Sequence, residues 1–301
     1  MFMDSHLEKQ APPETLYHYT SQAGLIGILN TRSIWASKIH YLNDAREFAL
    51  ALDLARRELE RRMHAEPSEK YLGRLELLRD KIYTIESINI CVCSFSELGD
   101  SLSQWRGYGG GRAEFSVGFS GEWFRRARES LDFSLTPCIY DTEEQERLIR
   151  EAIDWILAID SDAYSDKADY WDPNRGYADP DRPRTVVILP NAGKHFADRL
   201  AEIAPLIKDA SFKDEREWRL ISRPIPMQQL EHRPGESMMI PYYSIPIGSE
   251  SEFESISEIV IGPTPHPDLS EGSVRSLAFA AGITTPNDPT IRKTRIPFRN
   301  W

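Results

Sequence analysis

A single histidine, His18, lies between two tyrosines in the segment Tyr17–Thr20 and is the first side chain that could do chemistry. A Thr-Ser pair follows, and Leu25, Ile28 and Leu29 then recur at the spacing of an apolar helical face. Either hydroxyl can cap the first turn of this helix. His18 should therefore lie beside a helix N-terminus, where backbone N–H groups favour an anion such as a phosphate. The alternative is a structural histidine that is hydrogen-bonded in the core or at its rim.

Two glutamates, Glu215 and Glu217, form the second candidate site. If the segment Lys213–Arg219 is a strand, its two-residue period places both carboxylates on one face. Two carboxylates so close together repel each other, so the pKa of one should rise. Arg216 or Arg219 would moderate this rise. The alternative is a solvated strand face whose charges form salt bridges.

Ser94 and Ser96 form the third candidate site because they end the most apolar predicted strand, residues 87–96. Strand ends and the loops after them often carry functional groups on a rigid scaffold. Ser96 could equally cap the turn that follows. Further on, Gly109–Gly111 permits backbone geometry closed to other residues, either in a hairpin loop or close to a ligand. No lysine follows these glycines, so they are not a Walker-type phosphate-binding loop.

Histidines and cysteines lack the spacing of a metal site. Four histidines are scattered along the chain, namely His64, His195, His232 and His266. Cys91 and Cys93 alternate on one face of a predicted strand, which favours burial. The odd number of cysteines fits a reducing compartment better than a disulfide framework. We therefore predict that the protein needs no metal.

The net charge of −11 limits the partners of this 301-residue chain. Duplex nucleic acid is usually bound by a basic surface, so the charge argues against non-specific nucleic-acid binding. Near the C-terminus, Arg292, Lys293, Arg295 and Arg299 allow either a local basic groove or a solvated strand edge. No apolar run approaches the roughly 20 residues of a membrane span, and residues 1–13 lack the apolar region of a secretory signal. These features predict a soluble cytoplasmic protein without a membrane partner.

Strands and helices follow one another irregularly along the chain. Apolar periodicity predicts strands at residues 17–20, 33–39, 87–96, 113–119, 135–140, 215–222, 238–246, 256–261 and 290–298. It predicts helices at residues 21–30, 43–62, 68–82, 142–159, 191–208 and 269–281. This order fits an α+β fold with mixed β-sheets and peripheral helices better than regular βαβ winding. We expect a flexible N-terminus at 1–13 and a single α+β domain at 14–301. A helical hairpin would be inserted at about 43–86 and a long loop at about 161–184.

Short motifs along the chain resemble a bacterial family catalogued as domain of unknown function 2971. The matching motifs are Leu16–Tyr19, Ile34–Ser37, Leu42–Asp44 with Glu47, Cys93–Glu97, Gln104–Tyr108, Ser116–Phe119, Glu215–Arg219 and Glu258–Pro263. The order of a first-strand histidine, a Ser-x-Ser strand end and a late Glu-x-Glu strand is also similar, more distantly, to the ADP-ribosyltransferase superfamily. That likeness implies a split β-sandwich that clamps NAD between two small sheets.

The same likeness implies roles for individual residues. His18 would lie at the adenosine ribose and nicotinamide side of NAD, and Glu217 would hydrogen-bond the hydroxyl of the nicotinamide ribose. Glu215 would orient or deprotonate the acceptor, and Tyr41 or Tyr108 would stack on the nicotinamide ring. The residues implied in NAD binding are Tyr17, His18, Tyr19, Thr20, Tyr41, Asn43, Ser94, Ser96, Trp105, Arg106, Tyr108 and Arg219.

Together these residues imply an enzyme that uses NAD as its substrate and transfers ADP-ribose to an unknown macromolecular acceptor, or hydrolyses NAD. A fixed carboxylate would stabilise the positive charge that develops on the ribose as the glycosidic bond breaks. Such an enzyme would act as a toxin or anti-phage defence effector, with an immunity or regulatory partner as a further expectation. One alternative is a sensor module that binds a nucleotide or a protein without turnover. Another is a metal-dependent hydrolase or nuclease that uses Asp44, Glu47, Glu215 and Glu217.

Overall fold

The computed structural model describes most of the chain and divides it into two compact units. The described residues are 11–42, 45–65, 68–82, 85, 88–107, 114–131, 133–162, 192–235, 237–248, 255–282 and 289–297. The first unit consists of Met1–Ala45, Asn89–Tyr140 and Lys208–Trp301, and the second of Arg46–Ile88 and Asp141–Ile207. Most of the expected flexible N-terminus and of the expected loop at 161–184 lies outside the described residues. The single domain expected from the sequence stays a prediction.

Strands and helices have the following bounds. The strands are β1 (Thr15–Thr20), β2 (Ser33–Lys38), β3 (Cys91–Ser96), β4 (Phe115–Ser120), β5 (Phe133–Pro137), β6 (Glu217–Ser222), β7 (Glu231–Pro234), β8 (Met239–Pro246), β9 (Ile256–Ile261) and β10 (Thr290–Lys293). The helices are α1 (Gln22–Thr31), α2 (Ala45–Ala65), α3 (Glu69–Lys81), α4 (Leu102–Gly107), α5 (Gly121–Leu131), α6 (Thr142–Asp162), α7 (Ala192–Ile203) and α8 (Pro267–Ala280).

One large mixed sheet organises the first unit. Its main path runs β10-β9-β4-β1-β3-β2-β8-β7, and β6 joins it by pairing with β3 while β5 pairs with β6. The β9–β10 pair is parallel and the other pairs are antiparallel. This arrangement confirms the α+β class and the mixed sheet that the sequence predicted.

Strand β3 is the branch point of this sheet. On one edge, β1 pairs with its C-terminal end through Tyr17 and Ser96. At the other end of the same edge, β2 pairs with it at Cys91 and Val92. Strand β6 occupies the opposite edge and pairs with β3 from Val92 to Ser96. Neither β1 nor β2 pairs with Cys93–Phe95, and we call this stretch of the β3 edge the split.

Alternation of side chains gives the middle of the sheet two different faces. The core face is packed under α1, α5 and α8, and its buried side chains include Leu16, Cys93, Phe95, Trp218 and Leu220. The polar face is defined by the register of Ser96 with Tyr17 and with Glu217. By the two-residue period it also carries Tyr19, Ser94 and Arg219. The core therefore lies on one side of β3 and most of the candidate site residues lie on the other.

Helices α2, α3, α6 and α7 form the second unit. Helices α2 and α3 lie within the range predicted for the helical hairpin, and the hairpin itself stays a prediction. Residues 66 and 67 between the two helices lie outside the described residues. Buried apolar side chains such as Leu59, Leu75, Ile153 and Leu200 line its interior. Within the described ranges, every helix is too short or too polar to cross a lipid bilayer.

Several boundaries differ from the sequence predictions. Helix α5 and strand β7 were not predicted, and β3 begins at Cys91 rather than at residue 87. Strand β6 begins at Glu217 because Ala210–Glu215 forms a 3₁₀ turn and Arg216 adopts the left-handed conformation with φ 43°. Helix α6 extends to Asp162, so residues 161 and 162 do not belong to the predicted loop.

Candidate functional site

The imidazole of His18 lies at the split. Its Nδ1 is 3.0 Å from the carbonyl oxygen of Ser94, a backbone group that neither β1 nor β2 pairs with. The same ring atom is 3.8 Å from Sγ of Cys93, and the ring centroid is 5.8 Å from that of Phe95. These contacts hold the ring in place, in agreement with the alternative of a hydrogen-bonded structural histidine. Among the described residues, Nε2 of His18 has no hydrogen-bond partner.

Electrostatics keep the His18 side chain neutral. Burial lowers its pKa because water is removed from the charged form, and the positive charge of Arg233 lowers it further. The hydrogen bond to Ser94 opposes these effects and raises the pKa. A neutral ring that donates from Nδ1 has an acceptor at Nε2. The site can therefore accept a hydrogen bond from a hydroxyl group at this atom.

An internal carboxylate already lies at the N-terminus of α1. Ser21 caps this helix by accepting from the backbone N–H of Gly24 at 3.2 Å, as predicted. The backbone N–H of Gln22 donates to a carboxylate oxygen of Glu114 at 2.9 Å, and the Gln22 amide donates to the other oxygen at 2.8 Å. The anion favoured by the helix dipole is therefore supplied by Glu114. The geometry therefore does not support the expected binding of an external phosphate beside His18 at this helix end.

Glu217 is buried between two cations. Lys208 Nζ donates to its Oε2, and Arg219 Nε donates to its Oε1 at 2.7 Å. Lys208 also donates to Glu215 at 2.7 Å and is itself 1 % exposed. Burial raises the pKa of Glu217, but Arg219 and Lys208 outweigh this effect and bring it to about 2. Glu217 is therefore an ionised carboxylate at neutral pH.

This arrangement corrects two expectations about the Glu-x-Glu segment. Glu215 ends the 3₁₀ turn and lies outside β6, so the two carboxylates do not share a strand face. The pKa of Glu217 falls instead of rising, because Lys208 lies between the two acids and neutralises their repulsion. Arg219 moderates the charge as expected. Arg216 instead lies 3.9 Å from Glu97.

His18 and Glu217 leave the sheet on opposite faces. Tyr17 and Glu217 both lie opposite Ser96, and His18 follows Tyr17 by one residue, so its side chain belongs to the core face. Cys93, which contacts the imidazole, has its thiol pKa raised by burial and by the charge of Glu217. The two groups are therefore near the same part of β3 but approach it from different sides.

Ser96 serves as a backbone cap. Its hydroxyl donates to the carbonyl of Glu215 at 2.7 Å and accepts from the backbone N–H of Leu98 at 3.1 Å. This confirms the alternative expected for Ser96. Ser94 contributes its carbonyl oxygen to His18 and lies opposite Arg219 in the register of β3 and β6.

Tyr17, Tyr19 and Trp105 lie on the polar side of the sheet, away from the imidazole. The hydroxyl of Tyr19 donates to the carbonyl of Leu98 at 2.7 Å, and its ring packs edge-on against Trp105 at 4.7 Å. Trp105 is 1 % exposed and donates from Nε1 to Asp100 at 2.8 Å. Burial raises the pKa of Tyr17, and the charge of a neighbouring glutamate adds to the rise. Tyr19 and Trp105 are therefore buried packing residues and are not available to stack on a ligand.

The remaining expected NAD-binding residues are dispersed. Tyr41 ends a short 3₁₀ turn after β2, Arg106 is exposed on α4, and Thr20 ends β1 beside α1. Asn43 and Tyr108 lie outside the described residues. Within the described ranges, no group of three or more His, Cys, Asp or Glu side chains could hold a metal ion. Of the acids expected to bind one, Asp44 and the side chain of Glu47 are also outside the described part.

Lys208 and Arg233 are the functional candidates that sequence reasoning missed. Lys208 was assigned to the end of a predicted helix, where a lysine looks like any solvated residue. Arg233 lies on β7, a strand that was not predicted. Lys208 contacts Glu217 nine residues further on, a spacing that is neither a helix nor a strand period, and Arg233 contacts Ser37, which lies far away in the sequence, so no local pattern marks either residue.

Comparison with known proteins gives one match. A family model described as Protein of unknown function (DUF2971) matches residues 104–220. No curated protein and no solved structure matches the chain. The matched stretch runs from α4 into β6 and includes the buried pair Glu217 and Arg219. The resemblance to this family expected from the motifs is thereby confirmed, and over residues 104–220 the chain is similar to the DUF2971 proteins.

Proposed function

We propose that this protein binds NAD, or a nucleotide with the same ribose and phosphate groups, at the split. The observation that carries the proposal is the imidazole of His18 held on the Ser94 carbonyl at 3.0 Å, where neither β1 nor β2 pairs with β3. A neutral ring fixed through Nδ1 offers Nε2 as an acceptor, which suits a ribose hydroxyl. In this proposal the sheet is a split β-sandwich of the ADP-ribosyltransferase kind, with β1-β4-β9-β10 and β2-β8-β7 as its two sides.

Binding without turnover is the form of the proposal that the geometry favours. Both carboxylate oxygens of Glu217 are engaged by Lys208 and Arg219. Its side chain lies on the face opposite His18. A carboxylate with a pKa of about 2 is also a poor proton acceptor near neutral pH. The primary proposal is therefore a cytoplasmic nucleotide-binding module that senses its ligand.

ADP-ribosyl transfer, or NAD hydrolysis, is the second candidate. It is favoured by the β3–β6 register, in which Ser96 of the Ser-x-Ser motif lies directly opposite Glu217 of the Glu-x-Glu motif. In this reaction the bond from ribose C1′ to nicotinamide breaks, and nicotinamide leaves with the bonding electrons. An acceptor or water forms a bond to C1′ and gives up a proton to a base such as Glu215. For Glu217 to stabilise the ribose cation, its pairs with Lys208 and Arg219 would have to open.

The second candidate carries its own biological expectations. A transferase of this kind would be a toxin or anti-phage effector with a macromolecular acceptor and an immunity or regulatory partner. A metal-dependent hydrolase is not proposed. Glu215 and Glu217 share a lysine, and neither belongs to a group of three or more His, Cys, Asp or Glu side chains that could hold a metal ion within the described ranges.

Substitution of His18 by leucine is expected to weaken NAD binding by about tenfold or more, because leucine offers no acceptor to a ribose hydroxyl. Titration calorimetry with NAD on the wild type and on His18→Leu measures this effect. His266→Leu is the matched control, since His266 is exposed and lies just before α8. Free nicotinamide is measured in the same samples.

Three results decide between the candidates. NAD binding that is weakened in His18→Leu, without nicotinamide release, supports the sensor module. Nicotinamide release that is lost in Glu217→Gln supports the transferase or hydrolase. A wild type that does not bind NAD at millimolar concentration, or a His18→Leu variant with unchanged affinity and a native melting temperature, contradicts the proposed site.

A further inference from the structure

Strand β7 is the last strand on the main path of the sheet, and no described strand pairs with its outer edge. Three of its four residues, Glu231, His232 and Pro234, are exposed. The strand belongs to the first unit, and β8 is its partner among the described strands. An open edge of this kind presents backbone groups that can pair with another chain.

The backbone of His232 points away from β8. The N–H of Gly235 donates to the carbonyl of Met238 at 2.9 Å, and this bond closes the β7–β8 hairpin. Hydrogen-bonded and non-hydrogen-bonded pairs alternate along an antiparallel ladder. Arg233 and Glu231, two and four residues before Gly235, therefore direct their N–H and C=O groups toward β8. His232 lies between them and directs both of its groups to the open edge.

The charges on β7 are complementary to each other about a twofold axis at His232. When two copies of the strand pair in antiparallel fashion at His232, Glu231 of one copy lies opposite Arg233 of the other. Opposite charges in such directly opposed positions attract each other across about 5 Å between Cβ atoms. The pairing gives Arg233 a carboxylate neighbour, which it lacks among the described residues, where its Nη2 donates to the hydroxyl of Ser37. A parallel pairing would instead place like charges opposite each other.

Exposed methionines lie at both ends of β7. Met227 precedes the strand and is 68 % exposed, and Met238 and Met239 follow it at 58 % and 71 %. Antiparallel pairing brings the end with Met238 and Met239 of one copy beside the end with Met227 of the other. Burial of these flexible apolar side chains favours association on both sides of the axis. The methionines therefore lie where a second copy would cover them.

We propose that two copies of this chain associate through β7 in a symmetric dimer whose sheets join at His232. The N–H of each His232 donates to the carbonyl of the other, so two hydrogen bonds cross the axis. A twofold axis lets the same surface serve both partners. Pro234 has no N–H to donate, so the shared ladder is short. An interface of this size predicts a reversible dimer with a Kd of about 1–100 µM.

The test measures the oligomeric state by sedimentation equilibrium at concentrations from about 1 to about 500 µM, which span the expected Kd. His232→Pro removes the outward N–H without removing a bond to β8. His232→Ala keeps this N–H and is the matched control. Met239→Glu introduces a charge into the apolar contact, and Phe279→Glu, 73 % exposed on α8, is the control for it. Melting temperatures identify any variant that is not folded.

The wild type should form dimers as its concentration rises. His232→Pro should raise the dissociation constant at least about tenfold, because both hydrogen bonds across the axis are lost. Met239→Glu should raise it about tenfold as well, because a charge must then be buried. The dissociation constants of His232→Ala and Phe279→Glu should stay within about twofold of the wild-type value.

Three results would overturn the proposal, and none of them depends on nucleotide binding at the split. A wild type that stays monomeric at the highest concentration contradicts the dimer. A folded His232→Pro variant that associates as tightly as the wild type, or association that is lost in Phe279→Glu, places the contact elsewhere. If His232→Pro does not fold, Met239→Glu decides, and unchanged association in that variant refutes the contact through β7.

Discussion

Replacement of Glu217 by glutamine is expected to lower the free energy of unfolding by about 3 kcal/mol at pH 7. The carboxylate is buried, and Lys208 and Arg219 hold it ionised. Its pKa falls from 4.5 to about 2, and this shift corresponds to about 3 kcal/mol of stabilisation at neutral pH. Removing one member of a buried ion network costs a similar amount, because the other charges keep their desolvation penalty.

The pH dependence of this loss follows from the sign of the shift. A carboxyl group with a lowered pKa in the folded state contributes stability above its unfolded pKa, and this stability is lost as the pH falls through the folded value. The difference between wild type and Glu217→Gln should therefore be constant above about pH 5 and shrink between pH 4.5 and about 2. Urea denaturation at pH 7, 4.5 and 3.5 measures it.

Glu122→Gln is the control for this experiment. The pKa of Glu122 is also lowered to about 2, by hydrogen bonds to Arg125 and Arg126, but these side chains are exposed on α5. Solvent screens such pairs, so a much smaller loss is expected. Equal losses in the two variants, or a Glu217→Gln loss that does not change with pH, would show that the buried network is not what stabilises β6.

Replacement of Phe95 by alanine is expected to cost about 3–5 kcal/mol of unfolding free energy, as is typical of a large buried aromatic side chain. Phe95 is 2 % exposed at the centre of an aromatic cluster. Its ring centroid is 4.8 Å from Phe124, 5.7 Å from Phe119 and 6.2 Å from Trp123. It also contacts the ring of His18, so the cavity would loosen the imidazole at the split.

Phe279→Ala provides the matched comparison. Phe279 is 73 % exposed on α8, and its removal should change the free energy of unfolding by about 0.5 kcal/mol or less. Chemical denaturation of the two variants under the same conditions gives the contrast. A Phe95→Ala variant as stable as Phe279→Ala would mean that the core face of β3 does not hold the first unit together.

Local patterns in the sequence predicted much of the fold. The strand with His18, the capped helix α1 and the apolar strand β3 were found because each carries its signal within about ten residues. The mixed sheet was also predicted, since the order of strands and helices fits an α+β fold better than regular βαβ winding. Helix α5 was missed although Trp123, Phe124 and Ala127 form a buried stripe. It follows β4 directly in the sequence and ends just before β5, so no clear loop separates it from the two strands.

The candidate site could be predicted only in part, because its geometry depends on register and on distant partners. The faces of His18 and Glu217 follow from which residues pair with Ser96, and no local pattern specifies that pairing. The conformation of Arg216 shifts the start of β6 and separates Glu215 from the strand. Lys208 cannot be recognised as the partner of Glu217 until the chain is folded.

Hydrogen–deuterium exchange with and without NAD tests the central claim most directly. If the nucleotide binds at the split, amides of Thr15–Thr20, Ser33–Lys38 and Cys91–Ser96 should exchange more slowly in the saturated complex. The helices of the second unit, such as α2 and α6, should be unchanged. Slowed exchange confined to other segments under saturating NAD, or no slowing at any concentration, would contradict a nucleotide site built on His18.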